Sequence, residues 1–295
     1  MVLLKRKLYA AFDFLLFSNI FISICAVAQA LVTYHLIKVK PSFIVLGLLF
    51  AATLCIYNFS LLINKPHQTL ESPYKRISYF FGQYRLMVGI TIVCVALSGL
   101  LFFMLSWQAQ LLLFFLSILS FCYNMPLFSI GGRKFVLRNI PGLKPLMIAL
   151  VWSLSCVLLP VFEASYHQQR NLSNREIFLL VLTRFVFVAA MTVPYDIRDI
   201  SDDKKGGLKT LPVILGEKKA YLFCQAMFCL YFAVMLFRKP HIMPVDFWAF
   251  VSMFAMTWWL IFLSRKKKDE YFYFFYLDGV FILQYILLFS FQLLF

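Results

Sequence analysis

The residues of this 295-residue chain best suited to chemistry are crowded into Tyr195-Asp196-Ile197-Arg198-Asp199-Ile200-Ser201-Asp202-Asp203-Lys204-Lys205-Gly206-Gly207, where four of its thirteen acids fall. If one helix runs on past Pro194, a rotation of about 100° per residue sets Tyr195, Asp196, Asp199, Asp202 and Asp203 within an arc of roughly 120°. Carboxylates about 6 Å apart repel by roughly 3 kcal/mol per pair at an effective dielectric of about 20, so such a face calls for a cation. Hard oxygen ligands suit magnesium, which takes one or two carboxylates, keeps several waters and completes its shell with phosphate oxygens of a substrate. Gly206 and Gly207 then end the helix and allow a tight return. From charge and spacing alone, the same residues also read as a solvated loop in which Arg198, Lys204, Lys205 and Lys209 balance the acids.

The elements that must position this segment are membrane helices. Hydrophobic residues make up 62% of the chain, aromatics 19% and charged residues only 14%, against about 25% charged in soluble domains. A crossing needs about 20 apolar residues, and the apolar windows fall at 12–34, 42–63, 86–105, 108–128, 143–162, 177–194, 219–237, 243–263 and 271–294. The expected fold is therefore all-α, a polytopic bundle of nine transmembrane helices forming a single domain over residues 1–295. Trp107-Gln108-Ala109-Gln110 is the turn that divides the third span from the fourth. Lys5-Arg6-Lys7 leads into an apolar stretch too long for a cleavable signal, so the first helix is expected to stay.

Basic residues are in excess in cytoplasmic loops. Of the 28 Lys and Arg residues, 21 fall on the N-terminal side of these spans, six on the other side and one, Arg184, inside a span. The N-terminus is expected in the cytoplasm and the C-terminus opposite. A formal net charge of +15 then follows from topology and attraction to anionic lipid headgroups, and nucleic acid is not an expected partner. All seven cysteines lie in apolar stretches as small hydrophobes, and His35, His67, His167 and His241 fall in four separate loops without metal-ligand spacing. Charges inside spans usually mark function or a buried pair. Arg184 sits about 15 Å and Asp278 about 10 Å from the cytoplasmic ends of their helices, and the two are expected to pair. Asp13 is expected to reach water.

After the acidic segment the chain continues Gly207-Leu208-Lys209-Thr210-Leu211-Pro212-Val213-Ile214-Leu215-Gly216. Asp199 to Asp203 followed by Gly207, Thr210-Leu211-Pro212-Val213 and Gly216 resembles the second aspartate-rich motif of the UbiA superfamily of intramembrane prenyltransferases, and the four-residue steps Tyr195, Asp199, Asp203 fit that family's pattern. The resemblance implies that Asp196, Asp199 and Asp203 hold Mg2+ against the diphosphate of an isoprenoid donor, with Asp199, Asp203 and Tyr195 catalytic, while a lipid-like or aromatic acceptor attacks the allylic carbon. Family members carry a tyrosine and basic residues in the loop after the fourth span, which makes Tyr123, Arg138 and Lys144 candidates for binding the donor. Lys75, Arg76 and Arg85 have weaker claims.

One departure from the family pattern bears on the mechanism. The first motif of the superfamily has an Asn followed four and eight residues later by Asp, whereas here Asn58 is followed by Leu62 and Pro66. Three alternatives stay open: a single metal, a cation such as Lys65 in place of the second, or a silent site. Asn58 is carried as a substrate-binding candidate and reads equally as a helix-end residue bonded to backbone. The expected function is a magnesium-dependent prenyltransferase; the alternative is a non-catalytic lipid- or diphosphate-binding protein or transporter on the same scaffold.

Overall fold

The computed structural model describes residues 2–63, 74–124, 126–130, 133–136, 140, 142–205, 207–238, 244–266 and 268–294. Among them, eight helices are long and apolar enough to cross a membrane, the pattern of an integral multi-pass membrane protein, and Trp107–Tyr123 is a shorter apolar helix beside them. In chain order the helices are α1 (Val2–Phe17), α2 (Ile20–Ile37), α3 (Phe43–Ile63), α4 (Lys75–Gly82), α5 (Tyr84–Phe102) and α6 (Trp107–Asn124). A short antiparallel hairpin follows, β1 (Pro126–Ile130) with β2 (Arg133–Val136). Then come α7 (Leu143–Tyr166), α8 (Asn174–Arg198), α9 (Ile200–Lys205), α10 (Leu211–Leu215), α11 (Glu217–Arg238), α12 (Pro244–Leu263) and α13 (Asp278–Leu294), the last entered through a π-helical turn at Phe272–Leu277.

Two expected boundaries move. The window 12–34 straddles α1 and α2, which separate at Ser18-Asn19, where Asn19 takes a left-handed φ of 68°. Hydropathy does not mark this break because apolar residues flank it on both sides. The turn between α5 and α6 lies at residues 103–106 rather than at Trp107–Gln110. The amide of Gln110 reaches back to the carbonyls of Phe102 and Leu105 (3.2 and 3.1 Å), so a polar residue expected in the turn instead caps the end of α5.

The connections collect on two faces. On one, Glu270 accepts the backbone N–H groups of Lys75 and Arg76 at the start of α4 (2.7 and 3.0 Å), the Tyr74 hydroxyl donates to Asp202, and Lys144 pairs with Asp196. On the other, His35 in the last turn of α2 bonds Asp246 at 2.8 Å. There too Arg170 donates to the Ile37 carbonyl at 2.8 Å, and the Ser106 N–H reaches Glu163 at 2.8 Å. His35 is thus a helix-end residue with a carboxylate partner. Asp13 likewise accepts from the Tyr271 hydroxyl at 2.7 Å instead of relying on water.

Helix α8 packs against both α7 and α11. In a bilayer every backbone polar group needs a partner inside the protein, and a proline removes one helical N–H. Pro160 would orphan the carbonyl of Cys156, and the Thr33 hydroxyl donates to that carbonyl at 2.8 Å. Pro194 would orphan Ala190, whose carbonyl accepts the Cys224 thiol at 3.2 Å. These two bonds let α7 and α8 run straight through their prolines, so the acidic segment stays helical. The expected Arg184–Asp278 pair does not form. Arg184 donates to the Gln29 carbonyl at 3.1 Å and to Gln284 Oε1 at 3.3 Å, while Asp278 bonds Tyr195. Six residues of α13, about 9 Å of rise, separate Asp278 from Gln284, which takes the place at Arg184.

Replacing Thr33 with the isosteric Val removes the donor to the Cys156 carbonyl. Thr33→Val is expected to destabilise the chain by about 1 kcal/mol, seen as a lower Tm in detergent; an unchanged Tm would show that this carbonyl finds another partner.

Candidate functional site

Beyond Pro194, α8 continues to Arg198, pauses at Asp199 and resumes as α9. The bonds Asp199 N–H to Tyr195 O (3.0 Å) and Asp203 N–H to Asp199 O (2.9 Å) carry the helical ladder across the pause. Gly207, at φ 69°, ends α9 in the left-handed conformation that glycine adopts without strain, and Leu208 N–H closes back on Asp203 O at 2.8 Å.

Tyr195, Asp196 and Asp199 open on a cavity of about 210 Å³ walled also by the α1–α2 break, α3, α4, α7 and the start of α13. Its head is charged. Lys144 of α7 meets Asp196 at 2.6 Å, and Arg198 holds Asp199 through two bonds, Nε to Oδ1 at 2.7 Å and Nη2 to Oδ2 at 3.1 Å. The π-helical turn places Tyr273 and Phe274 against the guanidinium of Arg198, 4.9 and 5.4 Å from the ring centres. Arg76 of α4 lines the same cavity over Tyr57 and Phe274, at 5.7 and 5.3 Å. Burial pushes the Arg76 guanidinium below its ordinary pKa, yet an arginine stays protonated in proteins. Three cations and three carboxylates, the third being Asp278, therefore surround one small volume.

The floor is apolar. A second cavity of about 220 Å³ runs between α3, α6 and α7, with Tyr123 and Lys144 in its wall, and a third of about 120 Å³ lies between α2, α3, α6 and α7. Tyr57 and Trp152 stand in the wall of all three. The charged head thus adjoins apolar cavities between the helices, across the side chains of Tyr57 and Trp152.

The structure brings Tyr195, Asp196, Asp199 and Lys144 together and sets Tyr123 beside them. Asp203 is buried but does not line the cavity, and its Oδ2 has no hydrogen-bond partner among the described residues. Asp202 turns outward to Tyr74, whose hydroxyl is pushed up by burial and by that acid. Asn58 is fully buried, accepting from Asn19 at 2.6 Å and donating to Thr91 at 3.0 Å; it ties α3 to the α1–α2 break and to α5, and does not face the cavity. Lys65, Arg138 and Pro66 lie outside the described residues. Leu62 packs on an apolar cluster around Phe80, Phe81 and Met87. Sequence reasoning gave Arg76 too little weight and overlooked Asn19, Trp152 and Arg198 as cavity residues, and only the charge inside a span pointed to Asp278.

Among the described residues no three His, Cys, Asp or Glu side chains form a ready-made metal cage. The donor set nonetheless fits magnesium completed by substrate oxygens. Asp196 and Asp203 are buried carboxylates whose Oδ2 atoms are left without hydrogen bonds, and hard anionic oxygens are what that ion takes from protein.

A family model described as the UbiA prenyltransferase family matches residues 83–278. The chain is 36% identical over 64 residues to the 1,4-dihydroxy-2-naphthoate octaprenyltransferase of Bacillus subtilis (strain 168), covering 22% of this chain and 21% of that protein; it thus spans about a fifth of the length of that relative. Among solved structures, a UbiA homolog from Aeropyrum pernix K1 superposes with a TM-score of 0.62 at 17% identity, over 92% of this chain and 97% of that one. A UbiA homolog from Archaeoglobus fulgidus bound to DMAPP and Mg2+ gives 0.63 at 14% identity, over 94% and 99%. The same homolog bound to GPP and Mg2+ gives 0.63, over 95% and 99%. At these identities the likeness is one of fold.

Lys144 is the only cation within ion-pair distance of Asp196 among the described residues. Lys144→Met is expected to cost about 2–4 kcal/mol by leaving a buried carboxylate unpaired, and adding Asp196→Asn is expected to restore most of that in thermal unfolding. A double variant as unstable as the single one would show that the pair does not hold the head together.

Proposed function

The chain belongs to the UbiA prenyltransferase family, and from that premise we propose that it transfers an isoprenoid group from a prenyl diphosphate to a hydrophobic, aromatic acceptor, with magnesium, at the charged head of the cavity. The observation that carries this reading is that Asp196, Asp199, Lys144, Arg76 and Arg198 line a cavity flanked by apolar cavities on the far side of Tyr57 and Trp152. A prenyl diphosphate has the same division, an anionic head on a greasy chain. The names of the relatives agree, since one is an octaprenyltransferase and two structures hold a prenyl diphosphate with Mg2+.

Diphosphate departure requires neutralisation of the charge that develops on the leaving oxygen. Bound magnesium would supply Lewis-acid neutralisation there, with Asp196, Asp199 and Asp203 as the carboxylates to hold it. This chain's own residues supply the rest. Lys144 and Arg198 pair with Asp196 and Asp199; with those acids on a cation, both side chains would be free to donate to phosphate oxygens. Arg76 Nε has no hydrogen-bond partner among the described residues, and Arg76 faces the same volume. The rings of Tyr57, Trp152 and Phe274 offer π-faces to an allylic cation. By the bias of basic residues, the head of the cavity faces the cytoplasm.

A second reading, a protein that binds lipid diphosphates without turnover, is favoured by one observation: Leu62 is committed to an apolar cluster where the family's first motif has an acid. On the prenyltransferase reading, the half-buried Arg76 offers positive charge on that side of the cavity without a second metal.

Purified chain given labelled prenyl diphosphates, magnesium and phenolic acceptors or a membrane-lipid extract is expected to form a prenylated product. Asp199→Asn and Asp203→Asn should each reduce it by about 100-fold or more. Equal product from all three proteins, or none from any, contradicts catalysis at this site.

A further inference from the structure

Asp278 is not needed to hold the donor's diphosphate, yet it is buried at the start of α13 and lines the same cavity. A carboxylate at that depth is costly unless it has a use or a partner. Its Oδ1 accepts the Tyr195 hydroxyl at 2.5 Å, and that hydroxyl also lies 2.8 Å from the carbonyl of Tyr273. Cys25 donates to its backbone carbonyl at 3.2 Å. The carboxylate is thus held through Oδ1 by the Tyr195 hydroxyl of α8, itself anchored on the π-helical turn, while no hydrogen bond among the described residues reaches Oδ2. The charged and titratable groups sharing its cavity are Arg76, Arg198, Tyr57, Tyr195, Asp196, Asp199 and Lys144. Around it stand the rings of Tyr57, Trp152, Phe274 and Phe281, a lining suited to stacking a flat aromatic ligand.

Building on the proposed prenyl transfer, we infer that Asp278 is the proton-accepting catalytic residue for a phenolic acceptor, with Tyr195 as the residue that positions it. The phenol O–H donates to Asp278 Oδ2 and its proton passes there, leaving a phenolate. The C1–O bond of the allylic diphosphate breaks with its electron pair on the diphosphate, and the phenolate supplies the pair for the new bond to C1 through oxygen or a ring carbon. If the carbon attacks, its hydrogen returns to the oxygen as the ring regains aromaticity. Asp278 loses its proton to water at the cavity mouth. The two guanidinium groups in the same wall balance the negative charge as it passes from the carboxylate to the phenolate.

The test uses the full chain in lipid nanodiscs with geranyl diphosphate, magnesium and one of two phenols at mildly alkaline pH: 1-naphthol, which is protonated there, or 4-nitrophenol, which is largely ionised. Asp278→Asn is expected to slow prenylation of 1-naphthol by about 100-fold or more and that of 4-nitrophenol far less, because an ionised phenol needs no base. Asp278→Glu, which keeps the carboxylate, should recover part of the 1-naphthol rate and guards against a folding defect. Tyr195→Phe should give a smaller loss, again confined to 1-naphthol. Equilibrium binding of labelled geranyl diphosphate should not weaken in any of them. Equal losses with both phenols, weakened donor binding in Asp278→Asn, or full activity of that variant on 1-naphthol would each overturn the assignment. A wild-type chain that binds no geranyl diphosphate refutes the donor reading, and this one with it. A chain that binds the donor but prenylates no phenol refutes this one alone.

Discussion

A carboxylate carried out of water into a helical bundle needs a counter-charge or a set of donors, because the desolvation of an unpaired charge there costs several kcal/mol. The architecture around residues 195–203 is shaped by that requirement. Asp196 is 1% exposed and is met by Lys144 from α7; Asp199 is clasped by its own neighbour Arg198; Asp278 is held by Tyr195. The first and last of these tie α8 to α7 and to α13, so the charges also fix how the three helices converge. Cations brought in to quiet the acids are, by the same placement, a lining that can receive phosphate oxygens.

The apolar elements serve this arrangement from a distance. Pro194 would normally end α8 one turn before the acids, and the bond from Cys224 to the Ala190 carbonyl lets the helix continue. The π-helical turn before α13 advances Tyr273 and Phe274 into contact with Arg198 and delivers Asp278 to Tyr195. Glu270, just ahead of that turn, caps the start of α4 and so holds Arg76 at the cavity wall. Three loops far apart in sequence are joined by these side chains, and the joint is the head of the cavity.

Much of this was legible in the sequence, since hydropathy and loop charge depend on local composition. The apolar windows anticipated the long helices, and the periodicity of Tyr195, Asp196 and Asp199 anticipated their common face. What escaped was set by tertiary partners. The break at Asn19 lies inside an unbroken apolar run, and its conformation goes with the buried bond to Asn58. Arg184 is satisfied by neutral dipoles of Gln29 and Gln284 rather than by an acid, so a search for opposite charges inside spans paired it wrongly with Asp278. Asp203, one turn beyond Asp199, is buried but lies off the cavity wall, a placement that depends on what packs around α9 and not on periodicity. Arg76 belongs to a short amphipathic helix that no span window covers.

If the acids of α8 and α9 grip the donor's diphosphate through a divalent cation, donor binding reports that grip with fewer intervening steps than turnover does. Equilibrium binding of labelled geranyl diphosphate to the purified chain, titrated with magnesium and again in excess chelator, should show an affinity at least about tenfold tighter with the ion, and Asp196→Asn should erase most of that difference. An affinity that is the same with magnesium and chelator, or a magnesium effect untouched by Asp196→Asn, would contradict the account.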